Sequence, residues 1–281
     1  MIASLVVLIM WGLNLGIDFK GGSLLEIEYP AGRPEVSVLR TALAPFNLTE
    51  SIRPTGDKGY IIRMKTITES ERAALIAKIT ANGQKVDQKR FDSVGPLLGR
   101  EALHKSYLSI FFVIVCIVLF ITFAFRKVSE PVSSWKYGLI AIFALLHDVL
   151  VPAGVFAILG HFAGVEVDTL FVTALLVILG FSIHDTIVVF DRVRENLKHR
   201  FDHRDKKTFE EIVGSSISQT FTRSINTSLT TLLALIVLYF VGGETTRYFS
   251  LALIIGIITG TYSSIFLGSP LLVTVEKWQK K

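Results

Sequence analysis

The chain has 281 residues, 51% of them hydrophobic and only 19% charged, with a mean hydropathy of +0.53 and a formal net charge of +5. A water-soluble domain carries about 25% charge, and here the apolar residues are gathered into long blocks, which excludes an ordinary soluble enzyme, a disordered tail and a secreted disulfide scaffold. The single Cys116 leaves no internal disulfide, and the basic balance marks membrane topology rather than nucleic-acid binding, because Lys and Arg cluster beside the apolar blocks.

The first element is an apolar run at 2–15. It lacks the basic start and the small-residue cleavage site of a signal peptide. It is too short to span alone, which predicts a first transmembrane helix over 1–16 that is short or truncated. An extracytoplasmic domain is expected over 17–105. Residues 23–29 alternate as a strand that ends at Pro30, and 34–43 read as a short helix with Pro34 in its first turn. Residues 48–54 and 60–64 read as strands joined by the turn Thr55-Gly56-Asp57-Lys58-Gly59. Thr68 with Glu71 three residues on is a capping box that opens a helix. Leu75, Ile76 and Ile79 give that helix an apolar face, and Gly83 stops it. A last, weak strand covers 86–94. The order β-α-β-β-α-β predicts a small α+β ferredoxin-like domain, a fold that hosts many functions. With no Gly-rich phosphate loop, metal cluster or activated nucleophile in this stretch, a binding or spacer role is the expectation. Asn47-Leu48-Thr49 has the pattern of a glycosylation sequon, one short enough to arise by chance.

Five stretches without Lys or Arg follow, at 107–125, 137–160, 168–190, 224–241 and 248–275. Each exceeds or approaches the ~20 residues that cross a hydrocarbon core of about 30 Å. The expected fold is therefore an α-helical polytopic membrane protein of six transmembrane helices. Residues 106–275 form its five-helix transmembrane domain, with a cytoplasmic loop at 191–222 and a tail at 276–281. Arg126, Lys127 and Lys136, a basic cluster from Arg192 to Arg223, and Lys277, Lys280 and Lys281 lie on one side, fourteen basic residues in all. The short opposite loops offer Arg247 alone. The positive-inside rule then puts both termini in the cytoplasm and the lipid bilayer between them and the outside domain. Asp168 is placed to cap the fourth span. Gly256 and Gly260 have the small-xxx-small spacing of close helix packing, and Asp191, Arg192, Arg194 and Glu195 read as a solvated, charged helix end.

An ionisable residue inside a span costs about 2.5–3.5 kcal/mol on insertion scales, so each needs a reason. Asp148 stands mid-way in the third span, within Leu146-His147-Asp148-Val149, and Asp185 in the fourth, within Ser182-Ile183-His184-Asp185. Arg223 enters where the fifth span begins, a turn or two inside a helix that starts near Ile217. Asn226, Thr227 and Thr230 follow it at +3, +4 and +7, on one helix face. Asp185 lies about 9 Å of helix from the cytoplasmic end, the side from which Arg223 enters. A carboxyl that alternates between proximity to an arginine and separation from it would load and release a proton. Asp185, Arg223 and Asp148 are accordingly the expected proton-coupling residues, with His184, Ser182, Asn226 and Thr227 as secondary members. Structural alternatives stay open: Asp185 as ion-pair or hydrogen-bond glue between helices, Asp148 as a partner for backbone freed by Pro152, and Arg223 as a side chain that snorkels to the interface.

Enzyme readings fare worse. Asp148 and Asp185 at different depths do not make an aspartyl dyad sharing one proton at about 3 Å. Adjacent His-Asp residues on a helix point about 100° apart, so neither pair is a natural chelate. HExxH and GxxxxGK[ST] are missing. No catalytic residue, metal or cofactor is expected.

Gly16-Ile17-Asp18-Phe19-Lys20-Gly21-Gly22, the Leu-His-Asp-Val run at 146–149, GFSIHDTIVVFDRVREN at 180–196 and Thr222-Arg223-Ser224-Ile225-Asn226-Thr227-Ser228 together resemble the SecD/SecF family of bacterial protein-export membrane proteins. The resemblance covers nearly the whole chain, and the single small outside domain with the FDRVREN form is similar to the SecF branch. It implies a fold like the resistance-nodulation-division transporters and a place in the bacterial inner membrane. It also implies partnership with SecD, the SecYEG channel and an unfolded preprotein, with proton-driven assistance to translocation. Within the motif it draws attention to Gly16, Asp18, Phe19, Gly21 and Gly22. It carries the family's proton-path carboxylate to Asp185 and its arginine to Arg223. His184 stands where the family pattern has Asn, which adds a second titrating group. The other readings of the charge pattern are half of a small-molecule efflux transporter and a non-transporting scaffold of the translocon.

Overall fold

The structure is a computed structural model that describes residues 1–46, 49–80, 85–125, 133–203 and 206–279. It divides into two compact units, Leu15–Ser106 and Met1–Asn14 together with Tyr107–Lys281. The sequon at 47–48, the helix stop at Gly83, and the basic residues Arg126, Lys127, Arg204, Lys280 and Lys281 lie outside the described residues.

The first unit opens with a single helical turn, α2 (Ile17–Lys20), after the N-terminal helix α1 (Ile2–Trp11) of the other unit. Then come β1 (Gly22–Glu28), α3 (Val36–Leu43), β2 (Thr49–Thr55), β3 (Gly59–Met64), α4 (Glu69–Thr80) and β4 (Asp87–Val94). All strand pairs are antiparallel and the sheet order is β2-β3-β1-β4. Alternation sends Leu25 and Ile27 of β1 and Ile62 and Met64 of β3 to the face covered by Leu39 and Leu43 of α3 and Leu75 and Ile79 of α4, all fully or nearly fully buried. The capping box forms as expected: the Thr68 N–H donates to Glu71 Oε2 at 2.7 Å and the Glu71 N–H to Thr68 Oγ1 at 3.4 Å. The first helix differs from expectation. It starts at Val36, and Pro34 stays outside, where its carbonyl accepts from the Tyr60 hydroxyl at 2.5 Å. At the surface Lys89 pairs with Glu28 across β1 and β4 at 2.7 Å, holding the Glu28 carboxyl below its usual range. Buried Tyr29 has its phenol pushed up to about 12 by desolvation.

The glycine motif is a packing joint of this unit. Gly21 has φ +79, and a Cβ there would stand 2.7 Å from Pro96 Cα. Gly22 has φ +135, with the Met64 carbonyl oxygen 2.9 Å from where its Cβ would be. Phe19 is buried beside them. Only glycine lets the chain turn from α2 into β1 while the backbone at 96–99 lies this close.

Among the described residues, five helices are long and apolar enough to cross a membrane. They are α5 (Pro96–Ala124), α6 (Ser134–Ala163), α7 (Thr169–His203), α8 (Phe209–Val241) and a last one composed of α9 (Glu244–Ser263), a π-helical turn (Ser264–Gly268) and α10 (Ser269–Gln279). The expected first span is the ten-residue α1, about 15 Å long and so half a hydrocarbon thickness. It lies along α6: a Cβ at Gly154 would meet Ser4 Cβ at 2.5 Å, and Trp11 stacks on His161 at 4.6 Å. Asp168 caps α7, accepting from the Phe171 N–H at 2.9 Å.

The stretch 191–222, expected as a loop, is mostly helix. α7 runs on to His203, with Asp191, Arg192, Arg194 and Glu195 forming i,i+3 ion pairs along it rather than at its end. α8 begins at Phe209 with a second capping box, Thr208 to Glu211. Arg223 is therefore about 21 Å along α8, much deeper than a start near Ile217 would place it.

Candidate functional site

Three carboxyl residues are buried among the described residues of the membrane unit, Asp148, Asp185 and Glu276, and the first two lie on neighbouring helices α6 and α7. Asp148 is fully buried on α6. Its Oδ2 accepts from Ser182 Oγ of α7 at 2.5 Å and from Ser263 Oγ of α9 at 2.7 Å, and its Oδ1 lies 2.8 Å from His147 Nδ1. Three helices thus meet at one carboxyl. Although adjacent on one helix, His147 and Asp148 touch through Nδ1 and Oδ1.

Asp185 is 4% exposed on α7. Ser182, which bonds Asp148, is one turn earlier, so the two carboxyls are offset by about 4.5 Å along α7, close to one level of the bundle. Across from Asp185 on α8 are Ser224 and Arg223, both near enough to act on its carboxyl, Arg223 through charge alone. Neither Asp185 Oδ2 nor Ser224 Oγ completes a hydrogen bond, although both are buried. Ser224 nonetheless stands close enough for its hydroxyl to act on the Asp185 carboxyl as a donor, so the two buried groups face each other across α7 and α8.

The structure divides the predicted residues. Asp148, Ser182 and Asp185 come together; His184 is exposed on α7, yet its charge acts on the Asp185 carboxyl ahead of that of Arg223. The face of α8 that bears Arg223, Asn226 and Thr230 is exposed, and Thr227 is half-buried with its carbonyl accepting from the Thr230 and Thr231 hydroxyls. The buried face is instead Ser216, Thr220, Ser224 and Ser228, spaced by four. Ser228 Oγ meets Thr261 Oγ1 of α9 at 2.5 Å, and Thr186 Oγ1 of α7 meets Ser264 Oγ at 3.0 Å. Sequence reading missed Ser224, Ser228, Ser263 and Ser264; the signals were the period-four Ser/Thr row in 216–228 and the Ser-Ser pair inside an apolar block.

Glycine makes this contact possible. A Cβ at Gly260 would stand 3.1 Å from Ser182 Cβ, and one at Gly256 would stand 2.2 Å from Ile178 Cδ1. The small-xxx-small pair therefore brings α9 against α7, where hydroxyls of both helices reach each other.

Comparison with known proteins places this arrangement. Residues 74–278 match the family described as "Protein export membrane protein SecD/SecF, C-terminal", and residues 12–29 match the "SecD/SecF GG Motif". The protein translocase subunit SecF of Thermobaculum terrenum is 44% identical over 290 aligned positions, covering 98% of this chain and 88% of the relative. That of Anaerolinea thermophila is 39% identical with the same coverage. The crystal structure of SecDF, a translocon-associated membrane protein from Thermus thermophilus, superposes with a TM-score of 0.82 at 32% identity over 99% of this chain. The chain spans 36% of the length of that SecDF chain.

Proposed function

From the membership of this chain in the SecD/SecF family of protein-export membrane proteins, we propose that it works with SecD in the bacterial inner membrane and uses the proton motive force to help SecYEG move and release unfolded preprotein. Asp185 is the proton-coupling carboxyl, Arg223 its charge partner and Asp148 a second coupling group. The observation that supports this reading is the Asp185 carboxyl buried on a spanning helix, within reach of the Ser224 hydroxyl and of the His184 and Arg223 charges. A proton taken up there neutralises a charge inside the membrane unit and weakens the pull between α7 and α8, which converts proton passage into helix movement.

In this reading α1 belongs to a sixth span, both termini are cytoplasmic, and residues 17–105 form a ferredoxin-like domain on the outer side. The sheet order β2-β3-β1-β4 with both helices on one face supports that domain assignment. His184, Arg223 and Asn226 are exposed at mid-helix, a costly placement in hydrocarbon. A SecD helix with polar groups of its own would cover them.

The test is translocation of an unfolded preprotein into vesicles that hold the assembled complex, with and without an imposed proton gradient. Asp185→Asn is expected to remove the gradient-dependent part by about tenfold or more, with assembly intact. An assembled variant that keeps full gradient dependence would overturn the reading.

A further inference from the structure

One oxygen of Asp148 has two serines to serve. Ser182 and Ser263 both donate to Oδ2, which uses both lone pairs of a carboxylate oxygen. The other oxygen faces His147 Nδ1. If a proton arrives on Oδ2, that oxygen becomes a donor and can no longer hold two hydroxyls. If it arrives on Oδ1, it can be shared with His147 only when Nδ1 carries no hydrogen. Uptake on Oδ2, or on Oδ1 beside an Nδ1 that carries its hydrogen, therefore rearranges the contact in which α6, α7 and α9 meet, whereas uptake on Oδ1 beside a bare Nδ1 leaves both serine bonds in place.

The residue after Ser263 begins the π-helical turn Ser264–Gly268. Such turns carry an extra residue, are rare, and occur mostly at functional sites. This one is held by hydroxyls. Ser264 Oγ donates to the Gly260 carbonyl at 2.8 Å and meets Thr186 Oγ1 of α7 at 3.0 Å, and Ser269 Oγ donates to the Ser264 carbonyl at 2.9 Å. Conversion of the turn to α-helix would rotate α10 against α9 by about 100° and shift it by about 1.5 Å.

We propose that Ser182 and Ser263 are positioning residues that make the Asp148 carboxyl a proton-sensitive tie between α7 and α9, with the π-turn Ser264–Gly268 as the segment that yields when the tie opens. The proposal deepens the function given above and rests on it for its purpose, because Asp185 rides on α7 one turn from Ser182. The titratable groups around Asp148, among the described residues, are His147 on its own helix, Asp185 on α7 and Tyr262 on α9, whose ring lies 6.3 Å from that of His147. His184 of α7 is exposed.

The experiment is hydrogen exchange of the backbone amides at 260–270 in the assembled complex with SecD. It is corrected for intrinsic rate and run across roughly pH 3–9, which spans the ordinary ranges of carboxyl and imidazole groups. The parent is expected to exchange roughly threefold or more faster in Ser264–Gly268 at the acid end. Asp148→Asn should lose this pH response. Ser263→Ala should exchange fast throughout, and Ser263→Thr, which keeps the hydroxyl, should restore the parent profile. A parent profile flat with pH, an Asp148→Asn profile that still follows pH, or a Ser263→Ala profile equal to the parent's would each overturn the proposal. Should Asp148→Asn fail to assemble, the Ser263→Ala and Ser263→Thr pair decides. Asp185→Asn separates the two ideas: if driven export survives in it while the π-turn still follows pH, the coupling role of Asp185 fails and the tie stands.

Discussion

Buried positions in the sheet unit are almost all apolar, Leu25 and Ile27 against Ile62, Met64 and Leu75, with Ser23 and Thr55 the buried polar residues among those described there. Buried positions in the membrane unit include three carboxyls and a run of hydroxyls from Ser182 to Ser269. The contrast follows from the solvent. In water, apolar burial drives packing and polar groups stay outside. In lipid the surroundings are as apolar as leucine, so helices cohere through close backbone approach and hydrogen bonds between them. Side chains that would be a liability in the sheet unit are the cement of the membrane unit, and that chemistry is available for coupling.

This comparison can be broken in stages. The largest stability effect is expected from Leu25→Ala, about 2–5 kcal/mol off the sheet unit, read as earlier thermal opening of Leu15–Ser106 by proteolysis or exchange in the whole chain. The same truncation at lipid-exposed Leu233 of α8 should change helix stability by roughly 0.5 kcal/mol or less. Comparable losses at both sites would mean that the two units are held by one rule. Next comes Gly256→Val, whose added atoms enter the space of Ile178. About 1–3 kcal/mol of overpacking should appear as weaker protection of α7 and α9, with the sheet unit unaffected.

The capping boxes give a matched pair. Thr68→Ala and Thr208→Ala should each cost about 1 kcal/mol, one in each unit, because exposed helix starts obey the same rule on either side of the contrast. Protection factors in the first turns of α4 and α8 would check this, and a large inequality would count against it. The smallest effect is a pH dependence. Tyr29 in the folded domain holds its proton to about 12, above its ordinary value of 10. Its contribution to stability is therefore present below pH 10 and is lost as pH rises from 10 toward 12. Tyr29→Phe should flatten that part of the sheet unit's alkaline melting curve.

Legibility in the sequence followed the same division. Strands, the Thr68 capping box and the sheet-facing residues of the sheet unit were readable because alternation and caps are local signals. The long apolar blocks were readable as spans for the same reason. Helix ends beyond the membrane were not: the charged stretch after Asp191 reads as loop, yet i,i+3 ion pairs carry α7 on to His203. Asp148, Ser182 and Asp185 were found because charge in a span is conspicuous. The face of α8 was misjudged because Arg223 drew attention from the Ser216-Thr220-Ser224-Ser228 row, whose hydroxyls are as much at home in a loop as in a helix seam. The π-turn was not legible because the local bonds of Ser264 and Ser269 occur in ordinary helices too, and the Thr186 contact that also holds Ser264 comes from another helix.

The central claim, that Asp185 with Arg223 couples proton movement to this unit, is tested most directly by the pH-jump response of the complex with SecD in liposomes. Parent, Asp185→Asn and Arg223→Ala would be compared at equal assembly. A proton-dependent signal in the parent that both substitutions abolish is the predicted result. A parent signal that both variants retain, or a parent without one, would contradict the claim and leave a scaffold of the export machinery as the better account.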